Sequence, residues 1–180
     1  MVFDARAWAL TRRDCLRQLS VAGAASGWLA PSAWANTLQL GQAAPELVLT
    51  MLDGSTVALS SLRGQVVFMA FWASWCEPCL DELALLSAFA QSRSGRGLTI
   101  WGINLDSPES LPKVRQIAAG LKFPVGLLGS AWAGGYGRIW RLPVSFVVDR
   151  AGRLVRNGWD DQHSTWSTER LQEVLDPLLG

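Results

Sequence analysis

The chain reads as an α/β domain built on a central mixed sheet with helices on both faces. Three observations predict it. Val66 to Trp72 is an unbroken apolar run with the length and β-branched start of a buried strand. Apolar residues at helical spacing follow at once, in Glu77 to Ala90. Strand–helix alternation then continues and ends in a hairpin and a last helix, a pattern suited to a covered mixed sheet.

Residues 1–35 read as an export signal, which leaves 36–180 for the domain. Arg12-Arg13 precede a mildly apolar stretch, Leu19 to Ala30, and Ala33-Trp34-Ala35 supplies the small-x-small pattern of a cleavage site. The apolar stretch is shorter than the about 20 residues that span a bilayer. The paired arginines resemble a twin-arginine translocation signal, although Cys15 stands where that pattern usually has Phe. A Sec signal and a retained anchor are the competing readings.

Within the domain, Leu47-Val48-Leu49 and Val57-Ala58-Leu59 flank Asp53-Gly54, a tight-turn dipeptide, and predict a hairpin. Glu77 to Ala90 places Leu80, Leu83, Leu86 and Ala90 on one helical face, with Glu77, Asp81 and Glu82 near its positive end. Leu98 to Ile103 is the next strand. Ser107 is the expected N-cap of a helix that runs to about Ala119 and stops at Gly120. Phe123 to Leu128 is expected as a third parallel strand, and Ala131 to Trp140 as a short, glycine-broken helical segment. Val144 to Val148 and Leu154 to Asn157 make a hairpin. Thr168 caps a final helix with Leu171, Val174, Leu175 and Leu178 facing inward.

Charge and cysteine content narrow the function. The whole chain has a formal net charge of +1. Residues 1–35 hold four arginines and two aspartates, so the remainder has 12 basic and 13 acidic residues. That balance is no nucleic-acid footprint and offers no basic run to a membrane surface. Of three cysteines, Cys15 falls in the signal, which leaves Cys76 and Cys79. A domain of this size buries about 68–70% of its unfolded surface and needs no staple.

Cys76-Glu77-Pro78-Cys79 sits where the buried strand gives way to a helix. At a helix N-terminus, unsatisfied N–H groups and the positive dipole end stabilise a thiolate and lower its pKa. Cys76 is therefore the expected nucleophile. Cys79, nearly one turn further in, is placed to resolve a mixed disulfide. Pro78 fits the first helical turn, where its missing N–H is not needed. A zinc site needs two more ligands, and the domain has no other cysteine and a single histidine, His163. A purely structural disulfide over so short a loop removes little entropy from the unfolded chain.

Phe71-Trp72-Ala73-Ser74-Trp75-Cys76-Glu77-Pro78-Cys79 resembles the active-site segment of thioredoxin-fold proteins, and most of all the TlpA-like exported thiol–disulfide oxidoreductases, which include the cytochrome c maturation thioredoxins. Gly41-Gln42-Ala43-Ala44-Pro45, the Asp53-Gly54 hairpin and Leu142-Pro143-Val144-Ser145-Phe146-Val147-Val148-Asp149 extend the resemblance over nearly the whole domain. It implies a thioredoxin-like fold with an N-terminal β-hairpin and a strand–helix insertion in the 64-residue interval from Cys79 to Pro143. It implies that Pro143 is a cis-proline facing the cysteines and that Leu142 offers its backbone to a client peptide. An ordinary trans proline is the alternative. Glu82 matches an acidic position near the family's dithiol and is a proton acceptor for Cys79, or else a solvated first-turn acid. Trp75 covers the thiolate and meets the client, whereas Trp72 at strand spacing reads as core.

The sequence departs from the family at Ala84, where a helix-kinking proline is common, and at Trp140-Arg141 and Leu142, in the expected client groove. Ala70 stands where cytoplasmic thioredoxins carry a buried Asp. The expected activity is thiol–disulfide exchange without cofactor or metal, in the periplasm. Client disulfides are reduced there, those of apocytochrome c or copper-site proteins, with electrons from a membrane thiol-transfer protein. The alternative is a copper-handling module that uses the same cysteines as soft ligands. A thiol peroxidase would need Thr three residues before its cysteine, where this chain has Ala73.

Overall fold

The computed structural model describes residues 38–161 and 165–180. The export-signal segment and His163 lie outside the described residues. The elements in chain order are β1 (Val48–Met51), β2 (Thr56–Ala58), β3 (Val66–Trp72), α1 (Glu77–Ser92), β4 (Leu98–Asn104), α2 (Leu111–Ala118), β5 (Val125–Leu127), β6 (Val144–Val148), β7 (Leu154–Arg156) and α3 (Thr168–Leu179). They form one seven-stranded sheet in the order β2-β1-β5-β4-β3-β6-β7. β3 runs parallel to β4, and β4 to β5; every other pairing is antiparallel. This is the mixed thioredoxin-like sheet the sequence predicts.

β3 lies between β4 and β6, and all seven of its residues are buried. Side chains alternate across a strand, so β3 feeds two cores. Val66, Phe68, Ala70 and Trp72 pack with both cysteines and with Leu83, Leu86, Leu171, Leu175 and Leu179 of α1 and α3. Val67, Met69 and Phe71 pack on the other face with Leu49, Trp101, Tyr136 and Phe146. The sheet ends at β2 and β7, each three residues long.

The first hairpin turns where Asp53-Gly54 predicts. Gly54 has φ 87°, and Asp53 Oδ1 accepts both the N–H and the hydroxyl of Ser55. The interval from Cys79 to Pro143 is filled by the rest of α1, then β4, α2 and β5.

Four local expectations are corrected. The buried residues of α1 are Cys79, Glu82, Leu83, Leu86, Ser87 and Phe89, and Leu80 and Ala90 pack against the same core half-buried at its margin. The helix after β4 begins at Leu111, not next to Ser107. Pro112 has no N–H to donate to the carbonyl of Pro108, so Leu111 N–H takes it and the entry tightens into a 3-10 turn. Residues 131–140 hold a single 3-10 turn, Gly134–Tyr136, closed by a bridge between Trp132 and Arg138. Its glycines at φ 55° and 81° take a left-handed backbone that a helix cannot use. The cap of α3 is Ser167, whose Oγ accepts Arg170 N–H at 3.2 Å, and Thr168 is the first helical residue.

Candidate active site: the dithiol at the start of α1

Trp72 ends β3, and after four intervening residues the chain enters α1 at Glu77. Ser74 N–H donates to Asp106 Oδ2 at 2.7 Å and its hydroxyl to Asp106 Oδ1 at 2.9 Å, which pins this turn to the end of β4. Cys76 is the N-cap residue of α1, with extended backbone and no side-chain cap bond. Its carbonyl accepts the N–H groups of Cys79 and Leu80 at 3.0 and 3.2 Å, which starts the helix. Pro78 occupies the first turn, as its missing N–H permits.

Cys76 and Cys79 form a disulfide with their Cα atoms 5.2 Å apart. Burial is unequal in the expected sense: Cys76 is 6% exposed and Cys79 1%. Beside them Trp75 projects into solvent, 71% exposed, whereas Trp72 lies in the core. Among the described residues no three His, Cys, Asp or Glu side chains gather as metal ligands.

Glu82 lies on the buried stripe of α1 three residues beyond Cys79, the spacing that makes two helical side chains neighbours. Burial pushes its carboxyl up to about 8. Asp161 adds to that rise and Arg170 opposes it. It is therefore no solvated first-turn acid. It lines a small crevice with Arg141, Pro143, Ser145, Asp161 and Trp166. Asp161 in turn takes bonds from Arg156 and Arg170, and both guanidinium groups lie over the Trp166 ring, at 4.5 and 4.6 Å.

The Leu142–Pro143 peptide is cis. Leu142 is half-buried and touches both cores. The residues before it depart from the family and make contacts the sequence did not foretell. Trp140, 70% exposed, stacks on Trp159 with ring centroids 5.6 Å apart. Arg141 donates to the carbonyls of Gly158, Trp159 and Asp161, and so ties the approach to Pro143 to the 158–161 loop. Ala70 is buried on the same face as the cysteines.

Sequence reasoning missed Asp106, Asp161 and Trp166, and it named Arg141 only as a departure in the client groove. Asn104-Leu105-Asp106 at a strand end was a legible cue for a buried polar turn; the other three come from distant segments that only folding brings together.

An active-site dithiol at the head of a helix, set on this sheet, defines a thiol–disulfide oxidoreductase of the thioredoxin-like class. The AhpC/TSA family pattern matches residues 40–157, and the chain belongs to that family. It is similar to the thiol-disulfide oxidoreductase ResA of a Bacillus cereus strain, 34% identical over 142 residues covering 78% of this chain and 79% of that protein. ResA of Bacillus subtilis (strain 168) is 28% identical over 116 residues, 64% of this chain and 65% of that one. Among solved structures, a Chlorobium tepidum protein described as a candidate thiol:disulfide interchange protein DsbE superposes with a TM-score of 0.67. It is 27% identical and covers 80% of this chain and 100% of its own. These likenesses bear out the resemblance to TlpA-like oxidoreductases.

Proposed function

We propose that the protein is a periplasmic reductant of client disulfides, delivered by the twin-arginine-like or Sec-type signal in residues 1–35. The observation that carries this reading is the pairing of a Cys76–Cys79 disulfide at the head of α1 with a buried acid, Glu82, on the same helix face. In the reduced protein the Cys76 thiolate attacks one sulfur of a client disulfide. A mixed disulfide forms and the client's other sulfur leaves as a thiolate. Cys79 gives its proton to Glu82 and attacks Cys76, which releases the second client thiol and closes the Cys76–Cys79 bond. Glu82 accepts that proton in its ionised form, whose share grows as pH rises toward 8, and the match to an ordinary thiol near 8.5 keeps the cost of the transfer small.

Direction follows from potential against the compartment. Glu77, exposed in the first turn of α1, places negative charge near the dithiol, which disfavours a thiolate and suits a reductant. The client docks its backbone along Leu142 beside Pro143 and rests on exposed Trp75. Apocytochrome c and copper-site proteins are the client classes, and a membrane thiol-transfer protein restores the dithiol. No helix among the described residues is long and apolar enough to cross a membrane.

The test is a trap. Cys79→Ala in the periplasm should accumulate mixed disulfides on Cys76 that mass spectrometry identifies. An empty trap beside an active wild type would mean that the two cysteines have been given the wrong roles.

A further inference from the structure

The turn that carries Cys76 is held by a carboxylate that the exchange reaction does not otherwise use. Asp106 lies two residues past the end of β4 and is buried, at 7% exposure. It accepts three hydrogen bonds: from Ser74 N–H at 2.7 Å, from the Ser74 hydroxyl at 2.9 Å and from Asn104 Nδ2 at 2.7 Å. Its own N–H donates to Asn104 Oδ1 at 3.1 Å, and Asn104 is wholly buried. Between them Leu105 N–H donates to the Trp72 carbonyl at 3.0 Å, so residues 72–74 are bonded to 104–106 along their length.

All three donors to the carboxylate are neutral, and no cation pairs with it among the described residues. A buried carboxylate without a cation is a costly way to close a loop. What it supplies is acceptor capacity. An ionised Asp takes several donors at once and donates nothing, whereas an Asn there would turn an N–H₂ toward one of the same donors.

The clamp matters differently in the two redox states. In the oxidised protein the disulfide itself fixes Cys76 relative to α1. Once the disulfide opens, that constraint is gone, and Cys76 is the N-cap residue of α1. Its N–H to the Ala73 carbonyl at 3.1 Å and its own carbonyl then hold it locally, and both depend on where the preceding turn sits. We propose that Asp106 is a positioning residue for exchange: acting through Ser74, it keeps the Cys76 sulfur against the first N–H groups of α1 in the reduced protein. This rests on the reading that Cys76 attacks. Glu77 and Asp81 on the helix oppose a thiolate and Glu82 is held protonated by burial, so none of them substitutes for the clamp.

The sign of the effect separates positioning from charge. Asp106 is itself an acid, so removing its charge alone would lower the thiol pKa of Cys76. Loss of the clamp takes the sulfur away from the helix terminus and raises it. The pH profile of iodoacetamide alkylation is measured in a Cys15→Ser, Cys79→Ala background, which leaves one thiol. Adding Asp106→Ala should shift that profile upward by about one pH unit, about tenfold slower alkylation below the thiol pKa. Asp106→Asn keeps an acceptor for Ser74 N–H and should recover part of the loss. A downward shift, or an unchanged profile with only a lower melting temperature, overturns the proposal. If Asp106→Ala does not fold, Ser74→Ala serves, and it must shift the profile the same way by a smaller amount; no shift is a refutation. Alkylation needs no client, so an empty client trap and a failed clamp are distinguishable results.

Discussion

The two faces of the sheet share β3 and differ in what they tolerate. On the face under α1 and α3, β3 meets mostly aliphatic side chains from two helices, with Phe89 and Trp166 among them, and that core accommodates a disulfide and a buried glutamate. On the opposite face the core is an aromatic lattice: Phe71 and Phe146 at 5.7 Å, Tyr136 and Phe146 at 5.0 Å, Phe146 and Trp159 at 5.7 Å, all steeply inclined. The lattice includes no buried acid. One face is packed for rigidity and the other holds the groups that change charge and bonding, so damage to the two should register in different assays.

The largest effect on stability should come from the aromatic face. Phe146→Ala removes the ring shared by three aromatic contacts and should cost about 3–5 kcal/mol in urea unfolding. The rate of insulin-disulfide reduction per folded molecule should stay near that of wild type. A large loss of rate at full folding would break the division between the faces.

A smaller effect, with a sign set by pH, belongs to the dithiol face. The folded-state pKa of Glu82, about 8, lies above its unfolded value near 4.5, so the folded protein holds a proton there that the unfolded chain releases. Stability from this group is complete below about pH 4.5 and is lost as pH rises toward 8. Glu82→Gln should match wild type in acid and exceed it in unfolding free energy above about pH 8, while resolution of mixed disulfides slows. Equal stability at all pH values would show that Glu82 is not held in a desolvated site.

The smallest effect lies at the rim shared by the helices. Arg93 pairs with Asp176 through two bonds of 2.8 Å and joins the end of α1 to α3. The pair is partly exposed, so Arg93→Ala should lower the urea midpoint only slightly, and less in high salt, with no change in exchange rate.

Most of the scaffold was legible because its signals are local. β3 matches the predicted Val66–Trp72 run residue for residue, since seven apolar residues before a turn leave little other choice. The dithiol at a helix start was legible for the same reason. Errors arose where one residue's backbone chemistry overrode a pattern: Pro112 delayed α2, and Gly134 and Gly137 turned an apparent helix into a bridged loop. The surroundings of Glu82 could not be read at all. Arg141, Asp161 and Trp166 come from three stretches beyond β5, and only the sheet order sets them around one α1 residue.

The margins of the sheet carry a further consequence. β2 and β7 are three residues each, and the β7 segment Leu154-Val155-Arg156 is flanked by Arg153. Short edges, one of them charged, give a neighbouring molecule few free backbone groups to pair with. At high concentration this protein should resist edge-to-edge polymerisation. Under the proposed docking of clients beside Pro143, backbone pairing with other chains is then confined to a place where the thiols can act on what is held.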